Sequence, residues 1–277
     1  MNILEAILLG AVEGFTEFLP VSSTGHLTIL EKLLGYRIDA PDVTAFTAII
    51  QFGAVLATVI YLRADIARIV PAWCRGLSDP ARRGGDYRFG WAVILGSVPI
   101  AIVGPLFKDQ VETTLRSLWF VGGALIVWSG VLWFADRAAT QRRHEGDVTW
   151  KDTLIIGTAQ CLALIPGVSR SGATMSAGLL RDLDRVTVTR LSFFLSVPAL
   201  TAASILQGVT RYDTIAAGIG WVPTLVATVV SFAVAYASVT WLLRFVARHT
   251  YTVFIVYRVV LGVVVLTLVA TNTIPAT

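Results

Sequence analysis

The sequence predicts an all-α integral membrane protein: an inverted repeat of six transmembrane helices and two re-entrant helical hairpins, forming a single membrane domain over 1–277. Three observations point there. The chain is 55% hydrophobic and only 14% charged, with a mean hydropathy of +0.73, far from the usage of a soluble domain. Six apolar windows are long enough to cross ~30 Å of hydrocarbon, which takes roughly 20 residues. Two more apolar segments, 3–34 and 153–180, are interrupted by Pro and Gly and so do not read as plain spans.

In chain order, segment 3–34 has no Lys or Arg before Lys32. It lacks the positive flank of a cleaved signal peptide and is expected to stay in the mature protein. Within it, 12–27 reads VEGFTEFLPVSSTGHL. A half-helix is expected to end near Pro20, and the hydroxyl-rich turn Ser22-Ser23-Thr24-Gly25 to cap a second one starting near Thr24. The first span is 43–62, followed by a loop at 63–88 with six arginines. Spans 89–107 and 118–135 come next, then a loop at 136–151 with three arginines and Lys151. The second broken segment follows, and spans 191–209, 221–243 and 252–270 complete the chain.

Basic loops face the cytoplasm. Placing 63–88 and 136–151 inside puts Arg181, Arg185, Arg190, Arg244 and Arg248 on the same side, 15 basic residues in all, against 5 outside: Lys32, Arg37, Lys108, Arg116 and Arg211. This asymmetry holds only if both broken segments return to the side they entered, which places both termini outside.

The two broken segments align without gaps at an offset of 147 residues. Gly10 falls on Gly157, Glu13 on Gln160, Val21 on Val168, Ser22 on Ser169 and Gly25 on Gly172, while Ser23 falls on Arg170; the register continues to Phe46 on Phe193. The identities cluster on the polar tips, which indicates a duplication with repeats 1–147 and 148–277. One hairpin and three spans per half make an odd number of crossings, so the second half is inverted. The hairpins then enter from opposite faces, and their tips define a buried, wet cavity near the midplane.

The tips carry chemistry. Glu13 and Glu17 share a helical face one turn apart, and two carboxylates at low dielectric call for a divalent metal or an acid/base role. Intramembrane acids are expensive and usually functional. The second tip, Pro166-Gly167-Val168-Ser169-Arg170-Ser171-Gly172, adds a guanidinium to the same kind of turn. Two helix amino termini and an arginine aimed at one point make an anion site suited to phosphate. His26, one turn beyond Ser23, is placed to act as general acid or base.

The segments EGFTEFLPVSSTGH and PGVSRSGAT closely resemble the two signature motifs of the bacterial undecaprenyl-diphosphate phosphatases of the bacitracin-resistance type, and the similarity in length and span pattern covers essentially the whole chain. The resemblance implies a multi-pass plasma-membrane enzyme that removes the terminal phosphate of undecaprenyl diphosphate. Its product is the monophosphate carrier lipid of peptidoglycan synthesis. It further implies a divalent cation (Mg or Ca), and an active site reached from the extracytoplasmic side. The acidic roles then fall on Glu13 and Glu17, the hydroxyl and imidazole roles on Ser23 and His26, and the phosphate clamp on Arg170. Ser22, Ser169, Ser171 and Thr174 support them, beside Thr24 and Gly25 of the first turn.

Other classes are weaker. The net charge of +4 is explained by loop arginines, and no polybasic face interleaved with aromatics suggests nucleic acid. Cys74 and Cys161 lie on different elements and suggest neither a disulfide framework nor a metal site. A secondary transporter or flippase for a phosphorylated lipid shares the architecture, but a carrier has little use for a Glu pair, a serine and a histidine around its anion clamp. A homodimer is left open. Arg258, seven residues into the last span, either lines the cavity with its head or is a snorkelling or structurally paired residue, the second being the better reading. Gln51, mid-span, reads equally as a headgroup contact or as glue between helices. Trp73, Trp91, Trp119, Trp150 and Trp221 read as interfacial belt residues.

Overall fold

The computed structural model describes residues 1–107, 115 and 117–276; Lys108 and Arg116, two of the five basic residues expected outside, lie beyond them. The fold is all-helical, and among the described residues the sole β-type pairing is an isolated bridge between Arg143 and Leu183. The first half contributes α1 (Ile3–Thr16), α2 (Ser23–Leu33), α3 (Pro41–Tyr61), α4 (Arg63–Ser78), α5 (Gly85–Leu106) and α6 (Leu118–Ala138). The second contributes α7 (Trp150–Gln160), α8 (Arg170–Leu179), α9 (Arg185–Thr210), α10 (Tyr212–Ala217), α11 (Trp221–Val246) and α12 (Thr252–Ala270).

Helices α3, α5, α6, α9, α11 and α12 are long and apolar enough to cross a bilayer, and each contains most or all of an expected span. Their outward faces are apolar. Ile94, Val98 and Ile102 on α5, and Val253, Val256, Val260 and Val264 on α12, are all exposed, at the spacing of one helical face. Such stripes suit a chain whose surroundings are lipid, and the protein is a multi-pass membrane protein.

Segment 63–88, expected as a loop, instead begins with α4. That helix is amphipathic: Ile69 and Gly76 are buried, Tyr87 of α5 packs over Gly76, and Trp73 meets Trp91 edge-on at 5.6 Å. Its arginines lower the local hydropathy, so a search for apolar runs passes over it.

The short helices α1 and α7 begin alike. Asn2 and Glu5 form a capping box at α1, and Thr149 and Asp152 form one at α7, satisfying amide groups that the first turn leaves free. Helix α1 lies along α11 and α7 along α5. A Cβ on Gly10 would collide with the Ala227 carbonyl, and one on Gly157 with the Gly96 carbonyl. Glycine at both positions lets backbone meet backbone.

The arginine-rich segments gather at one end of the bundle. Arg190 bridges Asp65 at 3.0 Å and Glu145 at 2.6 Å, Arg185 meets Asp136 at 2.6 Å, and Arg143 and Arg181 converge on Asp152 at 2.6 and 2.9 Å. Burial alone would raise the Asp152 carboxyl. The hydrogen bonds from Arg143, Thr149 and Arg181 outweigh it and hold the group well below the ordinary carboxylate range. The core runs from this end to the turns between α1 and α2 and between α7 and α8, where Phe18 packs edge-on against Phe193 at 5.1 Å.

Candidate active site

The two turns share one backbone device. Ser22 caps α2 with φ 74° and Ser169 caps α8 with φ 76°, a left-handed conformation uncommon for residues other than glycine. In each, the serine oxygen accepts a hydrogen bond from the amide three residues on: Gly25 at 3.3 Å and Gly172 at 3.1 Å. The turns dock on each other. The Gly167 amide donates to Ser22 Oγ at 3.1 Å, and the Ser171 hydroxyl donates to the Leu19 carbonyl at 2.8 Å.

Arg258 does not snorkel. It is fully buried and donates through Nη1 to the Pro20 carbonyl at 2.9 Å, and through Nη2 to Gly167 and Val168 carbonyls at 2.9 and 3.0 Å. Its Nε reaches Ser129 Oγ at 3.2 Å. Irregular backbone away from water needs donors from the protein, and a guanidinium offers five in a rigid fork. The sequence held a signal for this: two Pro-containing turns with carbonyls to satisfy, and an arginine too deep in a span to escape cheaply.

The reactive groups meet around Glu17. One carboxylate oxygen accepts from Arg170 Nη2 at 2.8 Å, and the other accepts a short hydrogen bond from the Ser23 hydroxyl. Glu17 caps the end of α1, one residue beyond its last turn, and its amide donates to the Glu13 carbonyl at 2.9 Å. Arg170 opens α8 and also lies over the Phe18 ring at 5.7 Å. Glu17, Ser22, Ser23, Thr24, Ser169 and Arg170 line the polar end of a cavity of about 560 Å³. Most of its remaining wall is apolar, with Ile100 and Pro105 of α5, Leu164, and Leu200 and Leu206 of α9. Gln51 lines it too.

Not every expected site residue reaches the cavity. Glu13 is fully buried behind the wall, and neither of its carboxylate oxygens has a hydrogen-bond partner among the described residues. His26 also stands off the wall. Its Nδ1 lies 2.7 Å from the Ser22 carbonyl, which only accepts, so Nδ1 donates there, and Nε2 lies 2.7 Å from Tyr257 Oη. The structure thus does not join the imidazole to the Ser23 hydroxyl; Tyr257 engages it, a partner the sequence did not suggest. Ser171, Thr174 and Gly25 hold the turns together. Thr174 Oγ1 sits 2.8 Å from Ser192 Oγ and 2.9 Å from the Arg170 carbonyl.

The orphaned oxygens of Glu13, one turn from Glu17, are hard donors that fit a divalent cation. Among the described residues no group of three or more His, Cys, Asp or Glu side chains gathers. Any such cation would therefore take its remaining ligands from outside these two side chains.

A family model described as bacitracin resistance protein BacA matches residues 6–264. The chain is 71% identical, over the full length of both proteins, to a protein of Frankia casuarinae named undecaprenyl-diphosphatase 3. It is 54% identical, again over both full lengths, to an undecaprenyl-diphosphatase of Cutibacterium acnes, and 52% identical over 98% of both chains to undecaprenyl-diphosphatase 1 of Streptomyces coelicolor. With motifs, spans and whole-length identity in agreement, the chain belongs to the bacitracin resistance protein BacA family.

Proposed function

We propose that this protein is an undecaprenyl-diphosphatase of the bacterial plasma membrane, hydrolysing the terminal phosphate of the isoprenoid diphosphate to return the monophosphate carrier lipid to peptidoglycan synthesis, and so conferring bacitracin resistance. The observation that carries this reading is Glu17 bridging the Ser23 hydroxyl and the Arg170 guanidinium on the wall of a largely apolar cavity. A diphosphate head needs charge neutralisation and a positioned nucleophile, and its isoprenoid tail needs apolar walls.

In this mechanism Ser23 Oγ attacks the terminal phosphorus while Glu17 takes its proton. The bond from phosphorus to the bridging oxygen breaks, and the isoprenoid monophosphate leaves. Water then hydrolyses the phosphoserine and releases inorganic phosphate. Arg170 and the amino-terminal ends of α2 and α8 stabilise the charge that builds on the phosphoryl oxygens. Ser22, Thr24 and Ser169 line its seat. A divalent cation held by Glu17 at the wall, with the carboxylate of Glu13 one turn behind it, would supply further neutralisation at the phosphoryl oxygens. His26, locked between Ser22 and Tyr257, fixes the start of α2 and so the placing of Ser23.

The same reading makes α1–α2 and α7–α8 re-entrant hairpins of an inverted repeat, 1–147 and 148–277. The matched φ values of Ser22 and Ser169, the matched caps on Gly25 and Gly172, and the reciprocal packing of α1 on α11 and α7 on α5 all support it. The gathering of basic segments at one end supports a cytoplasmic location for that end and an active site open to the extracytoplasmic side. The test is phosphate release from undecaprenyl diphosphate by purified protein in detergent, with no membrane gradient. Stoichiometric phosphate and monophosphate lipid are expected. Binding without turnover would favour a lipid carrier instead.

A further inference from the structure

Gln160 closes α7 and is fully buried, yet neither the oxygen nor the nitrogen of its amide has a hydrogen-bond partner among the described residues. It lies on the wall of the cavity that holds Glu17, Ser23 and Arg170. A carboxamide carries two N–H donors and an acceptor, and buried polar groups almost always find partners. Both amide atoms are closed to water in this structure, so whatever fills the cavity meets them once the side chain turns toward it.

A second unmet donor lies on the same wall. Arg170 spends Nη2 on Glu17 and turns Nη1 to the Ser192 carbonyl at 3.4 Å, while its Nε has no acceptor among the described residues. Two donors without acceptors, on consecutive elements, call for a group rich in oxygens. The diphosphate supplies two such groups. The terminal phosphate is the one addressed by Ser23, leaving the oxygens of the phosphate esterified to the isoprenoid without a donor. Gln160 also stands where the wall changes character, since the residues just beyond it, Ala163 and Leu164, are apolar parts of the same wall.

We infer that the Gln160 amide, with Arg170 Nε, forms the subsite for the retained phosphate of an isoprenoid diphosphate and so selects diphosphates over simple phosphates. The assignment rests on the phosphatase reading and deepens it. Gln160 lies at the position that matches Glu13 in the other half of the chain; the two hairpins have thus diverged, a carboxylate for a cation on one and a neutral donor for a phosphate on the other. A neutral amide suits this place, because it binds the retained phosphate without opposing departure of the anionic product.

The experiment uses the full-length purified protein and its Gln160→Leu and Gln160→Glu variants, with farnesyl diphosphate as soluble substrate and farnesyl monophosphate and inorganic phosphate as inhibitors. In Gln160→Leu, KM for farnesyl diphosphate and Ki for farnesyl monophosphate should each rise about tenfold, the loss of roughly one hydrogen bond to a charged group. Its Ki for inorganic phosphate should stay within about twofold of wild type. Gln160→Glu, which replaces the donors with an anion of the same shape, should raise the first two constants further. Unchanged KM and Ki in either variant would overturn the subsite, reducing Gln160 to packing. An equal rise in Ki for inorganic phosphate would overturn it by moving Gln160 to the terminal phosphate. Should the leucine variant fail to fold, the glutamate variant alone decides by the same constants. Failure of the underlying reading looks different, because wild type itself would then release no phosphate from farnesyl diphosphate.

Discussion

Arg258 and Pro20 lie 238 positions apart in the chain and are joined by a hydrogen bond of 2.9 Å from a fully buried guanidinium to a turn carbonyl. The other end of that guanidinium holds Gly167 and Val168, so one side chain fastens both turns whose geometry makes the site. Arg258→Lys leaves at least one of these carbonyls without its donor, and an unmet buried acceptor costs about 1–3 kcal/mol. Thermal unfolding in detergent should show a lower Tm, with turnover falling alongside. An unchanged Tm would show that the turns hold their shape without the clasp.

Arg170→Lys tests a different property of arginine. Arg170 holds Glu17 at 2.8 Å and faces the cavity, so its fork should serve phosphoryl oxygens when substrate is bound. A lysine keeps the charge and loses the fork. Folding and insertion should survive while kcat falls about 10²-fold or more, the scale of losing one preorganised donor to a developing oxyanion. Phosphate release at near-normal kcat would remove Arg170 from the clamp.

The glutamate pair makes a prediction about metal. Glu13→Gln and Glu17→Gln each remove a hard anionic oxygen from the proposed cation site. Both should raise the magnesium or calcium concentration needed for half-maximal activity, and a chelator should silence the wild type reversibly. Glu17→Gln should also lower kcat at saturating cation, since it loses the acceptor for the Ser23 proton. Identical metal titrations in wild type and both variants would assign the pair to proton transfer or structure.

Far from the cavity, Asp152 ties α7 to Arg143 and Arg181, and its carboxyl is held below the ordinary range. A depressed carboxylate contributes stability that is complete above its unfolded pKa, near 3.9, and is lost as pH falls through its folded value. Asp152→Asn leaves two part-exposed arginines facing a neutral group and should cost about 1–2 kcal/mol at neutral pH, between the values for exposed and buried pairs. Unfolding followed against pH should show a constant gap between wild type and variant from pH 7 down to about pH 4, closing below it. A gap that persists unchanged in strong acid would mean that the loss comes from packing.

Much of this was legible in the sequence, and what was not has a common cause. The six spans follow from run length and hydropathy alone, and the polar tips announce themselves because Glu13, Glu17, Ser23 and Arg170 are expensive in an apolar chain. The offset of 147 residues pairs Ser22 with Ser169, and both residues have a positive φ. Helix α4 escaped notice because its arginines mask an amphipathic period. The partners of Arg258 and His26 escaped because they are matters of direction. Local spacing places His26 one turn from Ser23, yet its ring turns to Tyr257, on a helix 231 residues away. Spacing likewise does not reveal that Arg170 and Ser23, 147 positions apart in the chain, share one carboxylate.

That shared carboxylate is the centre of the mechanism, and the most direct measurement asks whether Ser23 becomes phosphorylated. Rapid quench of the purified protein with undecaprenyl diphosphate labelled in its terminal phosphate should trap label on Ser23 before free phosphate appears. Ser23→Ala should abolish both label and turnover. Turnover at the wild-type rate with no labelled protein at any quench time, and appreciable activity in Ser23→Ala, would contradict serine attack and hand the reaction to water.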